Sequence, residues 1–112
     1  MQTALQEFKA EFFRALAHPI RVRLLEALLT GEKSVQQIQD ALRLDQPIVS
    51  QQLAVLRAKH IVVARKEGTA VHYSVRDPLL GDLLEVARRI FNNQLIDSQT
   101  LLRELKREVR RA

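Results

Sequence analysis

No cysteine occurs in the chain. That one absence removes disulfides, thiolate metal sites, cysteine nucleophiles and thiol redox switching together. Long apolar runs are missing too: nothing approaches the roughly 20 uninterrupted apolar residues of a membrane helix. The N-terminus has no apolar signal core, so the expectation is a cytoplasmic protein with no membrane partner. Only three glycines and three prolines punctuate the chain, which favours long helices over a turn-rich β fold. There is no glycine-rich phosphate loop, nucleophile elbow or paired-acid motif. The three histidines, His18, His60 and His72, stand far apart, with plain local roles at a cap, a turn and a strand. The expectation is no enzyme, no catalytic residue, no cofactor and no built metal site.

What is present fits a soluble globular protein. The length of 112 residues, with 46% hydrophobic and 28% charged residues, bounds it to one domain or a small domain with a helical extension. Eighteen Lys and Arg against thirteen Asp and Glu give a net charge of +5. A basic small protein suggests a polyanionic partner, although net charge alone points weakly.

Leu5 to Ala17 places Leu5, Phe8, Phe12, Phe13 and Leu16 at helical spacing. Three of the four phenylalanines sit in this terminal helix, which suits either a core helix or a subunit interface. Pro19 pre-sets the first turn of a second helix; Leu24, Leu25, Leu28 and Leu29 are expected inward, and Gly31 ends it. Ser34 with Gln37 three residues later is a capping-box pattern, opening a short third helix with Val35, Ile38 and Leu42 inward. Asp45 and Pro47 suit the start of a fourth. Only a turn of about three residues around Leu44 separates the third and fourth helices, the spacing of a helix-turn-helix.

The fourth helix divides into two faces at 3.6 residues per turn. Val49, Leu53 and Leu56 fall together and are expected in the core. Pro47, Ser50, Gln51 and Ala54 fall opposite, flanked by Gln46, Ile48, Gln52 and Arg57. A merely solvated face would carry Glu and Lys. Short hydroxyl and amide groups suit base edges, because glutamine pairs bidentately with adenine and serine donates or accepts. Beyond this helix, residues 61–66 and 70–76 are β-prone runs flanking Glu67-Gly68-Thr69, where Gly68 supplies the positive φ of a tight hairpin. A helix-turn-helix followed by such a ribbon is a winged helix. From Asp77-Pro78 onward the pattern is helical again: Leu79, Leu80, Leu83, Leu84, Ala87, Ile90, Phe91 and Leu95 form one apolar stripe. Asp97-Ser98 offers a cap for a last, basic helix.

The stretch Leu16-Ala17-His18-Pro19-Ile20-Arg21-Val22-Arg23-Leu24-Leu25 resembles the LA-x-P-x-R opening of the ArsR-type (ArsR/SmtB) bacterial repressors. Val49-Ser50-Gln51-Gln52-Leu53-Ala54-Val55-Leu56-Arg57 resembles their S-x-H-L-x-x-L-R recognition helix. Arg65-Lys66-Glu67-Gly68-Thr69 through Tyr73-Ser74-Val75 resembles their wing. The likeness is ordered, correctly spaced and runs from about Phe8 to Phe91. It implies a homodimeric winged-helix repressor paired through its first and last helices. Departures accompany it: Ser34 and Gln36 stand where founding members carry a metal-binding Cys-x-Cys. Gln52 replaces the usual histidine, and His60 the usual glycine before the wing. A second branch binds zinc through Asp and His on the long C-terminal helix, and here no histidine follows His72.

The combined expectation is a mainly α (α+β) single domain over 1–112. It holds a helix-turn-helix over about 34–59, a two-stranded hairpin wing over about 61–76, and dimerisation helices over about 4–17 and 78–110. The polyanion is double-stranded DNA. Residues 41–76 hold six cations and two carboxylates, a net of +4, and that is where affinity for phosphate should arise. The basic residues of 103–111 are interleaved with Glu104 and Glu108 and read as a solvated face. The expected DNA contacts are Gln46, Pro47, Ser50, Gln51, Gln52 and Arg57 on the fourth helix, with Arg65, Lys66 and Thr69 on the wing. The expected dimer contacts are Phe8, Phe12, Leu80, Leu84, Ala87 and Phe91. The alternative is a winged-helix module that regulates through a protein partner. For an effector two readings stand: none at all, which is favoured, or an organic ligand near Phe12, Phe13, Phe91 and Leu95.

Overall fold

The computed structural model describes residues 3–95 and 98–111, in two compact units, Met1–Asp77 and Pro78–Ala112. In the first unit the helices are α1 (Ala4–Leu16), α2 (Pro19–Leu29), α3 (Val35–Leu42) and α4 (Gln46–Ala58). The strands are β1 (Lys33–Ser34), β2 (Val62–Glu67) and β3 (Ala70–Val75). The second unit contains α5 (Leu79–Gln94) and α6 (Gln99–Arg111). Among the described residues no helix is long and apolar enough to cross a membrane.

Side-chain caps set most of the helix starts in the first unit. Thr3 and Gln6 form a capping box at α1, and Ser34 and Gln37 form one at α3. His18 caps α2, its Nδ1 accepting from the Ile20 amide at 3.1 Å, and Pro19 follows at the first helical position. Asp45 does occupy the N-cap of α4 with extended backbone, but its carboxylate makes no cap bond there. Instead its carbonyl accepts from the amides of Ile48 and Val49. The turn between α3 and α4 passes through Arg43 in the left-handed region (φ 54°), where a side chain is uncommon. The Arg23 guanidinium donates to the carbonyl of Leu42 at 2.7 Å and satisfies one of the last carbonyls of α3.

The core of this unit gathers Leu24, Leu25 and Leu28 of α2, Ile38 of α3, and Val49, Leu53 and Leu56 of α4, with Ile61 and Val62 entering from the wing. Leu29, expected inward, is 37% exposed; the apolar face of α2 is narrower than four leucines suggest. The sheet has the order β1-β3-β2, all antiparallel. Its third strand, β1, pairs Lys33 with Tyr73 and Ser34 with His72, an addition to the expected two-stranded ribbon. His60 adopts a left-handed φ of 59° between α4 and β2, and Gly68 turns the hairpin at φ 62°, as a two-residue loop requires at its first position.

In the second unit α5 exposes Leu79, Val86, Ile90 and Phe91 while Leu80 is buried. Arg88 pairs with Glu85 one turn earlier, and Glu108 of α6 adds to the field that holds the Arg88 guanidinium charged. Leu105 of α6 is buried. Asp97, expected with Ser98 to cap this last helix, lies outside the described residues.

Candidate nucleic-acid interface

The helix-turn-helix presents α4 with its two faces as separated in the sequence. Val49, Leu53 and Leu56 are at most 1% exposed, and they anchor the helix in the core. Gln46, Pro47, Gln51, Ala54 and Arg57 are exposed opposite them, with Ser50 half-buried. Gln46 donates from Nε2 to the Ser50 hydroxyl at 2.8 Å, one turn along the same face. That contact orders two polar side chains, while the Gln51 side chain beside them makes no hydrogen bond among the described residues. Arg57 sits at the C-terminal end of this surface. Among the described residues, it and Lys66 of the wing make no ion pair.

Two expected DNA contacts are engaged within the protein. Gln52 is half-buried, and its Oε1 accepts from Arg21 at 2.9 Å. Arg65 is held by a bidentate pair with Glu32, at 2.6 and 3.3 Å, and by Glu67 at 3.0 Å. The guanidinium is pushed further above its ordinary value by the Glu32 and Glu67 hydrogen bonds. The same hydrogen bond holds the Glu32 carboxyl below the usual carboxylate range. In the unbound chain Arg65, expected to reach the DNA backbone, therefore lies against the segment before β1, and a phosphate contact would have to displace Glu32. Lys59 is similarly paired, with Glu11 at 3.3 Å, and the Lys59 and Arg14 bonds lower the Glu11 carboxyl. Lys66 and Thr69 remain exposed at the wing tip.

The positions matching a Cys-x-Cys are also occupied with other work. Ser34 accepts from the Gln37 amide at 3.2 Å, and Gln36 donates to Asp40 at 3.0 Å. Among the described residues no three His, Asp or Glu side chains gather into a metal-ligating group.

Of the expected dimer contacts, Phe8 is 72% exposed and Phe91 49% exposed. Phe12, Leu84 and Ala87 are half-buried. Leu80 is only 6% exposed within the single chain, so it has little surface to offer a partner; Leu79, on the neighbouring position, is 66% exposed. Phe12 stacks edge-on against Phe13 at 5.4 Å. It also lines a cleft of about 280 Å³ with Phe8, Glu11, Ala58, Lys59 and His60.

Residues 18–62 match the family described as "Bacterial regulatory protein, arsR family". An HTH-type transcriptional regulator of Mycobacterium tuberculosis, Rv0081, is 41% identical over 103 residues, covering 91% of this chain and 90% of that one. The chain belongs to the arsR family of bacterial regulatory proteins. The crystal structure of Rv0081 superposes with a TM-score of 0.79 at 41% identity, over 86% of this chain and 97% of that one. The biofilm growth-associated repressor of Agrobacterium fabrum is 38% identical over 82 residues, 73% of this chain and 70% of that one. The homodimeric winged helix-turn-helix DNA-binding domain Mb0332 of Mycobacterium bovis, solved by NMR, has a TM-score of 0.76 at 27% identity, over 86% of this chain and 89% of that one. This arsR-family chain is accordingly a winged helix-turn-helix transcriptional regulator.

Two features of the site escaped the sequence. The Arg21–Gln52 contact joins residues 31 positions apart, and the Arg65–Glu32 contact joins residues 33 apart. No local pattern encodes either; only the exchange of a family histidine for Gln52 marked the first as unusual.

Proposed function

We propose that this chain is a homodimeric repressor that places α4 in the major groove of an inverted-repeat operator. The observation that carries the reading is the exposed, nearly uncharged face of Gln46, Ser50 and Gln51 on a helix whose other face is locked in the core. Amide and hydroxyl groups match the donor and acceptor pattern of base edges. Arg57 and Lys66, unpaired with any carboxylate among the described residues, hold phosphate on either side, and Thr69 and Pro47 add close contacts at the wing tip and the helix start. Phosphate contacts set register while the α4 face supplies sequence preference. Exposed Phe8 of the first unit and exposed Phe91 of the second are apolar side chains for a second copy to cover, and the similar M. bovis domain is homodimeric. Two-fold symmetry then sets the two half-sites about one helical turn apart.

The test is a gel shift with the duplex upstream of the protein's own gene, followed by selection of bound sites from a randomised duplex pool. The expected result is a saturable complex and a selected sequence with two-fold symmetry. Binding without any sequence preference would contradict the reading of α4.

A further inference from the structure

One guanidinium joins three elements. Arg21, in the first turn of α2, donates from Nε to the carbonyl of Ala15 at 2.7 Å and from Nη2 to that of Arg14 at 3.2 Å. Its Nη1 donates to Oε1 of Gln52 on α4 at 2.9 Å. Both carbonyls lie in the last turn of α1, at the negative end of its dipole, where amide donors become scarce; that of Arg14 also accepts from the Ala17 amide at 3.0 Å. A guanidinium is planar and its donors point in fixed directions. It cannot shift one of these contacts without disturbing the others. The fork therefore ties the rotation of α4 to the end of α1.

The contact also decides what Gln52 can offer. A free glutamine amide presents both a donor and an acceptor, the combination that pairs bidentately with adenine. Against a guanidinium only the amide oxygen can face inward. The remaining Nε2 has no partner among the described residues and is not among the buried unsatisfied atoms, so it meets solvent. What is left wholly free on the helix surface is the donor, while the oxygen keeps only its second lone pair beside the guanidinium.

We infer that Arg21 is a positioning residue for DNA recognition, acting by pinning Gln52 Oε1 to the C-terminal end of α1. It thereby sets the face that α4 turns to DNA and orients Gln52 so that its Nε2 donor faces outward. The inference rests on the reading that α4 enters the major groove. It also gives Gln52 a narrower role than the general DNA contact expected of it. The same fork connects the helix that exposes Phe8 to the helix that reads sequence.

The experiment compares wild type with Arg21→Met, Gln52→Met, the double variant and Gln51→Ala. Affinities are measured for a duplex that the wild type selects from a randomised pool and for an unselected duplex from that pool. Each of Arg21→Met and Gln52→Met should lower the ratio of selected to unselected affinity about tenfold, the scale of one charge-assisted hydrogen bond. The double variant should lose the same tenfold and not a hundredfold, because both changes break one contact. A merely structural role would lower the thermal midpoint and both affinities together while leaving the ratio intact. Arg21→Lys keeps the charge but cannot span three acceptors, and it should lose the ratio too; it serves where Arg21→Met fails to fold. The inference is overturned if the arginine variants keep the wild-type ratio while Gln52→Met loses it, or if the two losses multiply. A loss confined to Gln51→Ala overturns it while leaving the α4 reading intact. An unchanged ratio in every variant overturns the α4 reading itself.

Discussion

A guanidinium cannot hold two carboxylates and a phosphate with the same donors, and Arg65 faces that choice. Glu32 and Glu67 occupy it in the unbound protein. Because the Glu32 carboxyl is depressed by its Arg65 bond, the pair is intact above the ordinary carboxylate range and is released only as pH falls through the lowered value. At neutral pH the wing therefore has Lys66 available and Arg65 withheld. Glu32→Gln should loosen Arg65, tighten binding to any duplex and steepen the logarithmic salt dependence by up to about one unit. Lys66→Ala should flatten that dependence by about one unit. Anisotropy titrations across a potassium chloride series measure both; an unchanged slope in Glu32→Gln would show that Arg65 already reaches phosphate past its carboxylates. The basic character of the wing was legible in residues 65 and 66. The partner of Arg65 was not, since Glu32 sits before a strand and nothing in its neighbourhood marks a carboxylate that will close onto a hairpin 33 residues away.

The short helix α3 depends on its ends as much as on its face, because Ile38 is its single buried residue. The Ser34–Gln37 box satisfies two backbone donors that would otherwise lack partners. Ser34→Ala should cost about 1 kcal/mol, read as a lower urea midpoint at unchanged slope; no shift in the midpoint would mean that β1 pairing alone fixes the start of α3. Where hydrophobic period and cap agree, as in α2, α3 and α4, the sequence announces its elements well. Where one signal overlies another it does not. Ser34 reads as a cap, which conceals that it is also half of β1, and a two-residue strand is too short to show any period. Asp45 shows the converse: residue type identified the N-cap position, yet the carboxylate stays off the amides, since type fixes a preference and not a rotamer. Arg43 in the left-handed region was invisible because arginine carries no turn signal of its own.

Phe8 and Phe13 of the first unit and Leu79 and Phe91 of the second stand at half exposure or more, or within one percentage point of it, and aromatic and aliphatic side chains of this kind are what the core of a subunit interface uses. Phe8→Glu changes a side chain that is 72% exposed and so spares the core. It should yield a folded monomer by sedimentation with operator affinity at least tenfold weaker, the size of a modest 1.4 kcal/mol coupling; a variant that sediments as wild type would remove Phe8 from the interface. Induction by metal is not expected, since Ser34 and Gln36 are committed to other bonds and neutral hydroxyls and amides are poor ligands for soft ions. Zinc, cadmium and arsenite should each change operator affinity by less than about threefold, below the 1–3 kcal/mol of true effectors. A tenfold loss with any of them, abolished by replacing His18, His60 or His72, would reveal a sensor site. Everything in this picture depends on α4 reading bases through its uncharged face, and Gln51 is the side chain at its centre. The affinity of Gln51→Ala for the selected duplex, measured beside an unselected one, decides it. The selected duplex should be bound about 1–3 kcal/mol more weakly and the unselected one equally well; equal affinity of variant and wild type for the selected duplex would mean that another surface reads the DNA.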